Sequence, residues 1–383
     1  MENGQSSENK KTKYILTKRW KQIYIPILSS LGLLFIISII IICVTASNQA
    51  KSMTPGQKDP ETGWAFHIVA PFVDLSSWVP LTNSYSINGV PNMAKVEQQT
   101  GISYYNLGFI QPDQTKPLDE SGNIRWGWGG YYSLSESGND GYQYPKIKQT
   151  INDLKNLGAG ITISIGGQLG DAPWIVTNDV DKLASFYKDV IQTYDVKRLD
   201  LDIEESNQVQ SGNIANAKAI KKVQDETGID IVLTIPIMPN GWQDKQINII
   251  KAYLDQGVQI SLINSMTMCY GGGLYAGEDY GDASIRAIEN SVQQMKNIWA
   301  SYGTVLTDKQ AYAKTGATVD IGYESSQYPV FTLEMTRKVV DHAKENGYGM
   351  LSYWSINRDA QMQPNNAINT LFSYLNVMNE FYA

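Results

Sequence analysis

A chain of 383 residues with 42% hydrophobic and 18% charged side chains has the length and balance of a folded domain, large enough for one big core or two modest ones. Its net charge of −7 is uneven, because residues 1–22 carry six Lys or Arg against two Glu and the remainder is more acidic still, which argues against nucleic acid as a partner. The two cysteines, Cys43 and Cys269, lie too far apart to suggest a disulfide framework, and the two histidines, His67 and His342, belong to no Cys/His cluster, so zinc is not expected, and no motif calls for a cofactor.

In chain order, the basic segment 1–22 leads into residues 23–46, which contain no charge. That length spans a bilayer, and the Lys/Arg excess before it places the N-terminus in the cytoplasm. The alternative is a cleaved signal peptide, with Val44-Thr45-Ala46 near a cut site; the apolar run is longer than a usual signal core, which favours a single-pass anchor. A polar tether follows at 47–62. The body, 63–383, is then expected outside the membrane, either anchored or secreted, and is expected to act as a monomer.

Within the body, short apolar runs alternate with amphipathic stretches of helix length. Strands are predicted at 64–73, 103–110, 160–166, 197–204, 230–237, 260–268, 312–319 and 349–355. Helices are predicted at 147–157, 180–194, 213–226, 245–256, 285–300 and 332–346, several closed by a glycine (Gly158, Gly228, Gly347). Eight such alternations predict an α/β fold of the (β/α)8 (TIM) barrel type. A doubly wound open sheet is the runner-up, but no Gly-rich phosphate loop follows the first strand.

The fourth strand carries the chemistry. Leu199, Leu201 and Ile203 alternate with Asp200, Asp202 and Glu204, so three carboxylates share one face. Such a row raises its own pKa values and is costly to bury unless chemistry uses it. In a barrel the site gathers at the C-terminal strand ends. Those ends would bring Gly166 and Gly167 of strand three, Met268, Cys269 and Tyr270 of strand six, and Trp354 of strand eight around the acidic row. Hard oxygen ligands suggest a divalent metal as one use of the row. The Tyr, Trp, Met and Gly at neighbouring strand ends instead suit the apolar face of a sugar, and glycoside cleavage is the better reading. Trp126 and Trp128, in the run 126–132, either line a sugar groove or pack within their own loop.

Asp200-Leu201-Asp202-Ile203-Glu204 resembles the D-x-D-x-E core of glycoside hydrolase family 18. Ser164-Ile165-Gly166-Gly167 is similar to that family's S-x-G-G motif, and Met266 to Gly271 to its M-x-M-D-Y-G element. Tyr353 to Asp359 resembles the W-S-[IL]-N-R-D ending of bacterial members, while the segments 70–74 and 105–110 resemble their opening strands. The resemblance runs over about residues 64–375, in the family's order.

The resemblance implies substrate-assisted retaining hydrolysis of chitin or other N-acetylglucosamine-containing oligosaccharide. Glu204 would be the acid/base, its pKa raised by Asp202. Asp202 would orient the acetamido group, with Asp200 sharing a hydrogen bond beneath it, and Tyr270 would bind the acetamido oxygen. Trp354 would floor the central subsite, with Asp74, Gly166, Gly167 and Met268 also on the substrate side. Two departures stand out. Lys197 and Arg198 replace an Asp-Gly pair, which implies altered local packing. Cys269 stands where relatives carry Asp, which implies a slower rate or a shifted pH optimum. An endo-β-N-acetylglucosaminidase acting on glycoprotein or cell-wall glycan, or a non-hydrolytic glycan-binding barrel, are the alternatives.

Overall fold

Residues 67–363, 368 and 370–382 are described by the computed structural model. The basic segment, the uncharged run 23–46, the tether and the first residues of strand candidate 64–73 lie outside them. Among the described residues, no helix is long and apolar enough to cross a membrane.

The strands follow in the order β1 (Ile68–Val69), β2 (Phe72–Asp74), β3 (Ser86–Ile87), β4 (Val90–Pro91), β5 (Tyr104–Pro112) and β6 (Trp126–Trp128). They continue with β7 (Gly160–Gly166), β8 (Arg198–Asp202), β9 (Asp230–Pro236), β10 (Ile260–Met266), β11 (Thr315–Asp320) and β12 (Met350–Trp354). From β5 to β12 the long strands are parallel neighbours, β6 apart, which folds back antiparallel on β5. The first barrel strand runs in two pieces. Its β1 half pairs with β12 (Ile68 opposite Met350), and its β2 half pairs with β5 (Phe72 opposite Asn106). One strand therefore joins both edges of the sheet and closes it into a barrel, which removes the open-sheet alternative.

Helices cover the outside, among them Tyr144–Asn156, Val180–Tyr194, Gln210–Thr227, Asp244–Asp255, Tyr280–Ser301 and Leu333–Asn346. Gly228 and Gly347 end their helices in the left-handed conformation expected of a glycine cap. The sequence reading of strand seven, 312–319, starts too early, because Asp308–Ala313 is a capped helical turn and the strand begins at Thr315. The hairpin β3–β4, the helix Met93–Thr100 and β6 carry too little periodicity to be read ahead.

The alternation on β8 sorts its side chains. Leu199 and Leu201 are fully buried in the large apolar core shared with the helices. The opposite face looks into the barrel, where a smaller apolar cluster (Ile68, Ala70, Val232, Leu262, Met350) fills the lower level. Arg198, just before the acidic row, forms a buried 2.5 Å ion pair with Asp230 on β9.

Candidate active site

Above that apolar plug lies a belt of hydrogen bonds that crosses five adjacent strands. Ser164 Oγ (β7) donates to Asp200 Oδ2 at 2.6 Å, and Thr234 Oγ1 (β9) donates to Asp200 Oδ1 at 2.6 Å. Asn264 (β10) donates to Thr234 Oγ1 at 3.0 Å, and Thr318 Oγ1 (β11) donates to Asn264 at 2.8 Å. Both oxygens of Asp200 are thus held. Burial nevertheless pushes its pKa up to about 6, against the lowering effect of the two hydroxyls and Arg198.

One step towards the mouth, Asp202 is 3% exposed, and its Oδ1 has no hydrogen-bond partner. A buried carboxylate oxygen left bare costs about 1–3 kcal/mol, so it is a place built for a donor to arrive. Burial, then the charges of Glu204 and Asp200, raise the Asp202 pKa well above the carboxylate range. The β8 ladder ends at Asp202, yet Ile203 N still reaches Thr234 O at 2.9 Å and Glu204 remains extended. The period-two alternation therefore carries on past the strand and brings Glu204 to the rim. Its pKa stands at about 7, raised by burial first and by Glu205 second. Glu205 turns the chain with a left-handed φ of +43°, a conformation that costs a non-glycine residue about 1 kcal/mol and is common beside working residues.

Asp202 and Glu204 open into a cavity of about 490 Å³. Aromatic rings form one wall: Trp354 stacks on Phe109 with centroids 5.6 Å apart at 25°, and Phe72 lies 6.4 Å from Trp354. Met266, Met268, Cys269 and Tyr328 line it further, with Asp320 and Glu324. Cys269 Sγ donates to Asp320 Oδ2 at 3.6 Å, and Arg358 pairs with both Asp320 and Glu324. Burial raises the Asp320 pKa to about 7, offset in part by Arg358. Among the described residues, no group of three or more His, Cys, Asp or Glu is placed to hold a metal ion.

Gly166 and Gly167 shape the floor instead of touching its contents. A Cβ on Gly166 would lie 2.2 Å from Asp202 O, and one on Gly167 would lie 3.0 Å from the Phe109 ring. Four of the residues expected on the substrate side take other places. Trp126 and Trp128 are 6% and 0% exposed, with indole N–H groups held by Asp189 and Tyr194. Their β6 strand turns them into the helix layer, so their rings are core. Asp74 spends its carboxylate on the backbone and hydroxyls of Ser76 and Ser77. Tyr270 is 3% exposed, does not line the cavity, and has its hydroxyl 3.5 Å from Ser284 on the neighbouring helix. Cys269 adopts φ +52°, and that turn breaks the inward–outward alternation before Tyr270 is reached. Asp320, Glu324, Tyr328, Phe72 and Phe109 are among the cavity residues that the sequence reading did not pick out.

The chain is thus a closed (β/α)8 barrel with a carboxylate row that rises to an aromatic-walled mouth. The sequence is 28% identical, over 78% of this chain, to a probable bifunctional chitinase/lysozyme of Escherichia coli (strain K12) and, over the same share, to Endochitinase 11 of Metarhizium anisopliae. The matches take in 32% and 54% of those two proteins, so the chain spans between a third and about half the length of these relatives. In fold it is similar to the catalytic domain of a hyperthermophilic chitinase from Pyrococcus furiosus, with a TM-score of 0.66 and 24% identity over 82% of this chain and 94% of that one. No protein-family model matches the sequence. In sequence and in fold, this chain is similar to chitinases.

Proposed function

We propose that this protein is a glycoside hydrolase that cleaves β-1,4-linked N-acetylglucosamine polymers, chitin first among them. The observation that carries this reading is the pairing, at one cavity, of the bare buried Oδ1 of Asp202 with the raised pKa of Glu204. An acetamido N–H satisfies the first, and a leaving glycosidic oxygen needs the proton held by the second.

In this mechanism the acetamido oxygen of the substrate attacks C1 as Glu204 gives its proton to the departing oxygen. Asp202 accepts the acetamido N–H on its free oxygen and so orients the acetamido group towards C1. Water then attacks C1 and returns its proton to Glu204, so the anomeric configuration is retained. Asp200, fixed by Ser164 and Thr234, holds the base of the row steady. Trp354 and Phe109 offer the flat apolar face on which a pyranose ring rests.

Chitin oligosaccharides, with peptidoglycan fragments alongside, are the substrates to assay by mass spectrometry and by NMR of the newly formed anomer. Wild type is expected to release shorter N-acetylglucosamine oligomers with the β anomer formed first. Glu204→Gln is expected to lose about 10²–10⁴-fold in turnover while still binding. Binding without any turnover by the wild type would leave a glycan-binding barrel in place of the hydrolase. The uncharged run 23–46 supports a further reading, that the barrel is tethered outside the membrane; membrane fractionation and N-terminal sequencing of the native protein test it.

A further inference from the structure

We propose that Asn264, a carboxamide sealed inside the barrel beneath the cavity, is a positioning residue that sets the direction of the hydrogen-bond belt, so that Asp200 accepts at both oxygens and the proton of the acidic row stays with Asp202, beside Glu204. This inference deepens the reading above, and only its rate effects rest on that reading.

The inward positions of β10 are Leu262, Asn264 and Met266. Leu262 belongs to the apolar plug and Met266 lines the cavity, so Asn264 fills the level between them, fully buried. A leucine would fill that level without the cost of burying an amide, so the position uses the polarity of the side chain and not its volume. Room for the amide comes from β11. Gly316 is the register partner of Asn264, and a Cβ there would lie 2.9 Å from Asn264 Oδ1.

The chemistry of the groups gives the belt its direction. An amide nitrogen only donates. Asn264 Nδ2 donates to Thr234 Oγ1 at 3.0 Å, so Thr234 accepts there and spends its single hydrogen on Asp200 Oδ1 at 2.6 Å. Thr318 Oγ1 donates to the other end of the amide, Asn264 Oδ1, at 2.8 Å. The hydrogens therefore run one way, from β11 through β10 and β9, and end on a carboxylate oxygen of β8. Ser164 covers the second oxygen at 2.6 Å. With the amide turned over, Thr234 would give its hydrogen to Asn264 and present a lone pair to Asp200, which would then have to carry a proton itself.

The consequence for the reaction follows from charge. Burial, the charge of Glu204 and the charge of Asp200 together keep a proton on Asp202. When Glu204 gives up its own proton, it becomes an anion beside a neutral acid. If Asp200 took the proton instead, Asp202 would be a charged neighbour, and Glu204 would hold its proton more tightly and be the weaker acid. The other charges near the row are Arg198, with Asp230 and Lys314 around it, Glu205 beside Glu204, and the group of Asp320, Glu324 and Arg358 at the cavity. Variants of the belt leave all of them in place.

The test measures kcat and KM against pH on a soluble chitin oligomer for wild type, Asn264→Leu, Thr234→Val and Thr234→Ser, with folding checked by circular dichroism. Asn264→Leu is expected to lose roughly tenfold in kcat with KM within about twofold, and its alkaline limb to move up by about one pH unit. Thr234→Val cuts the same path at the next link and is expected to move the limb the same way, while Thr234→Ser, which keeps the hydroxyl, brings it back. A fall in kcat by the same factor at every pH, in Asn264→Leu or in Thr234→Val if the former does not fold, overturns the inference by making the amide merely structural. A carboxyl NMR titration of isotope-labelled aspartates needs no turnover, with the Asp200 signal assigned by its absence in Asp200→Asn. Asp200 is expected to titrate about one pH unit higher in Asn264→Leu than in wild type, and an unchanged titration overturns the inference. A shifted titration in a protein that cleaves no chitin oligomer sustains the directed belt and removes the hydrolase.

Discussion

Asp202 is held at a cost. Its folded-state pKa is raised, so the folded protein prefers the neutral carboxyl. Between the ordinary carboxylate pKa and that raised value, the unfolded chain gives up its proton first, and stability falls as pH climbs. Asp202→Asn keeps the shape and removes the charge. It is expected to stabilise the protein at pH 7 by about 1–3 kcal/mol, read as a higher Tm, with no gain at pH 3 where both states are protonated, while turnover drops at least about 10²-fold. A lower Tm at pH 7 would mean that the carboxylate is paired and not bare. Glu204 sets the other limb: its donor form is lost as pH rises through about 7, so kcat is expected to fall on the alkaline side of that value. Cys269 belongs to a small network of acids. Its thiol gives its hydrogen to Asp320, and Arg358 already serves two carboxylates, Asp320 and Glu324. Cys269→Asp therefore sets a third acid against one guanidinium. A loss of about 1–3 kcal/mol in urea unfolding is expected, with at least half recovered by adding Asp320→Asn. Equal effects in the single and double variants would show that the two positions are uncoupled.

At the scale of the element, the mouth depends on how closely β7 and β8 approach at their upper ends. Gly166 has φ +112°, and a Cβ there would lie 2.2 Å from the carbonyl of Asp202. Gly166→Ala both strains its own backbone and pushes the acidic row aside, so about 2–4 kcal/mol of stability is expected to be lost, with an even larger proportional loss of turnover. Wild-type kinetics in a folded Gly166→Ala protein would show that the approach is slack. The same strands show where the sequence is transparent. Inside a strand, parity is enforced by the pleat, so Asp200, Asp202, Leu199 and Leu201 could be sorted by position alone. Glu204 followed because its backbone stays extended. Beyond a turn that parity fails: the left-handed φ of Cys269 sends Tyr270 into the helix layer. Trp126 and Trp128 misled for a related reason, since a Trp-Gly-Trp alternation shows that two rings share a face but not which face of the barrel it is. Asp320 was invisible because a lone acid at the end of Ala317-Thr318-Val319 has no partner in sequence; its partners Cys269 and Arg358 come from other strand ends.

At the scale of the molecule, the barrel closes on the weakest of its strands. The first strand is split at Ala70-Pro71, and neither half is long. Side chains from elsewhere reinforce it: Asn106 donates to Ala70 O at 2.8 Å, and Asn357 both accepts from Asp74 N and donates to Asp74 O, each at 2.9 Å. Asn357 follows the last strand, so this clamp ties the two ends of the barrel across 283 residues of chain. It also aligns Asp74, which anchors the Trp78 loop, with Trp354 on the cavity wall. Asn357→Ala leaves a backbone N–H and C=O of the closing strand without that partner, a loss of about 2–4 kcal/mol. A Tm lower by several degrees is expected, roughly 2–4 °C per kcal/mol or somewhat less for a body of this size, with faster hydrogen exchange concentrated at Val69 to Asp74. Asn357→Asp keeps the acceptor but not the donor and is expected to fall between the two. If exchange rises uniformly over the barrel, or the Tm does not move, closure rests on the ladder bonds alone.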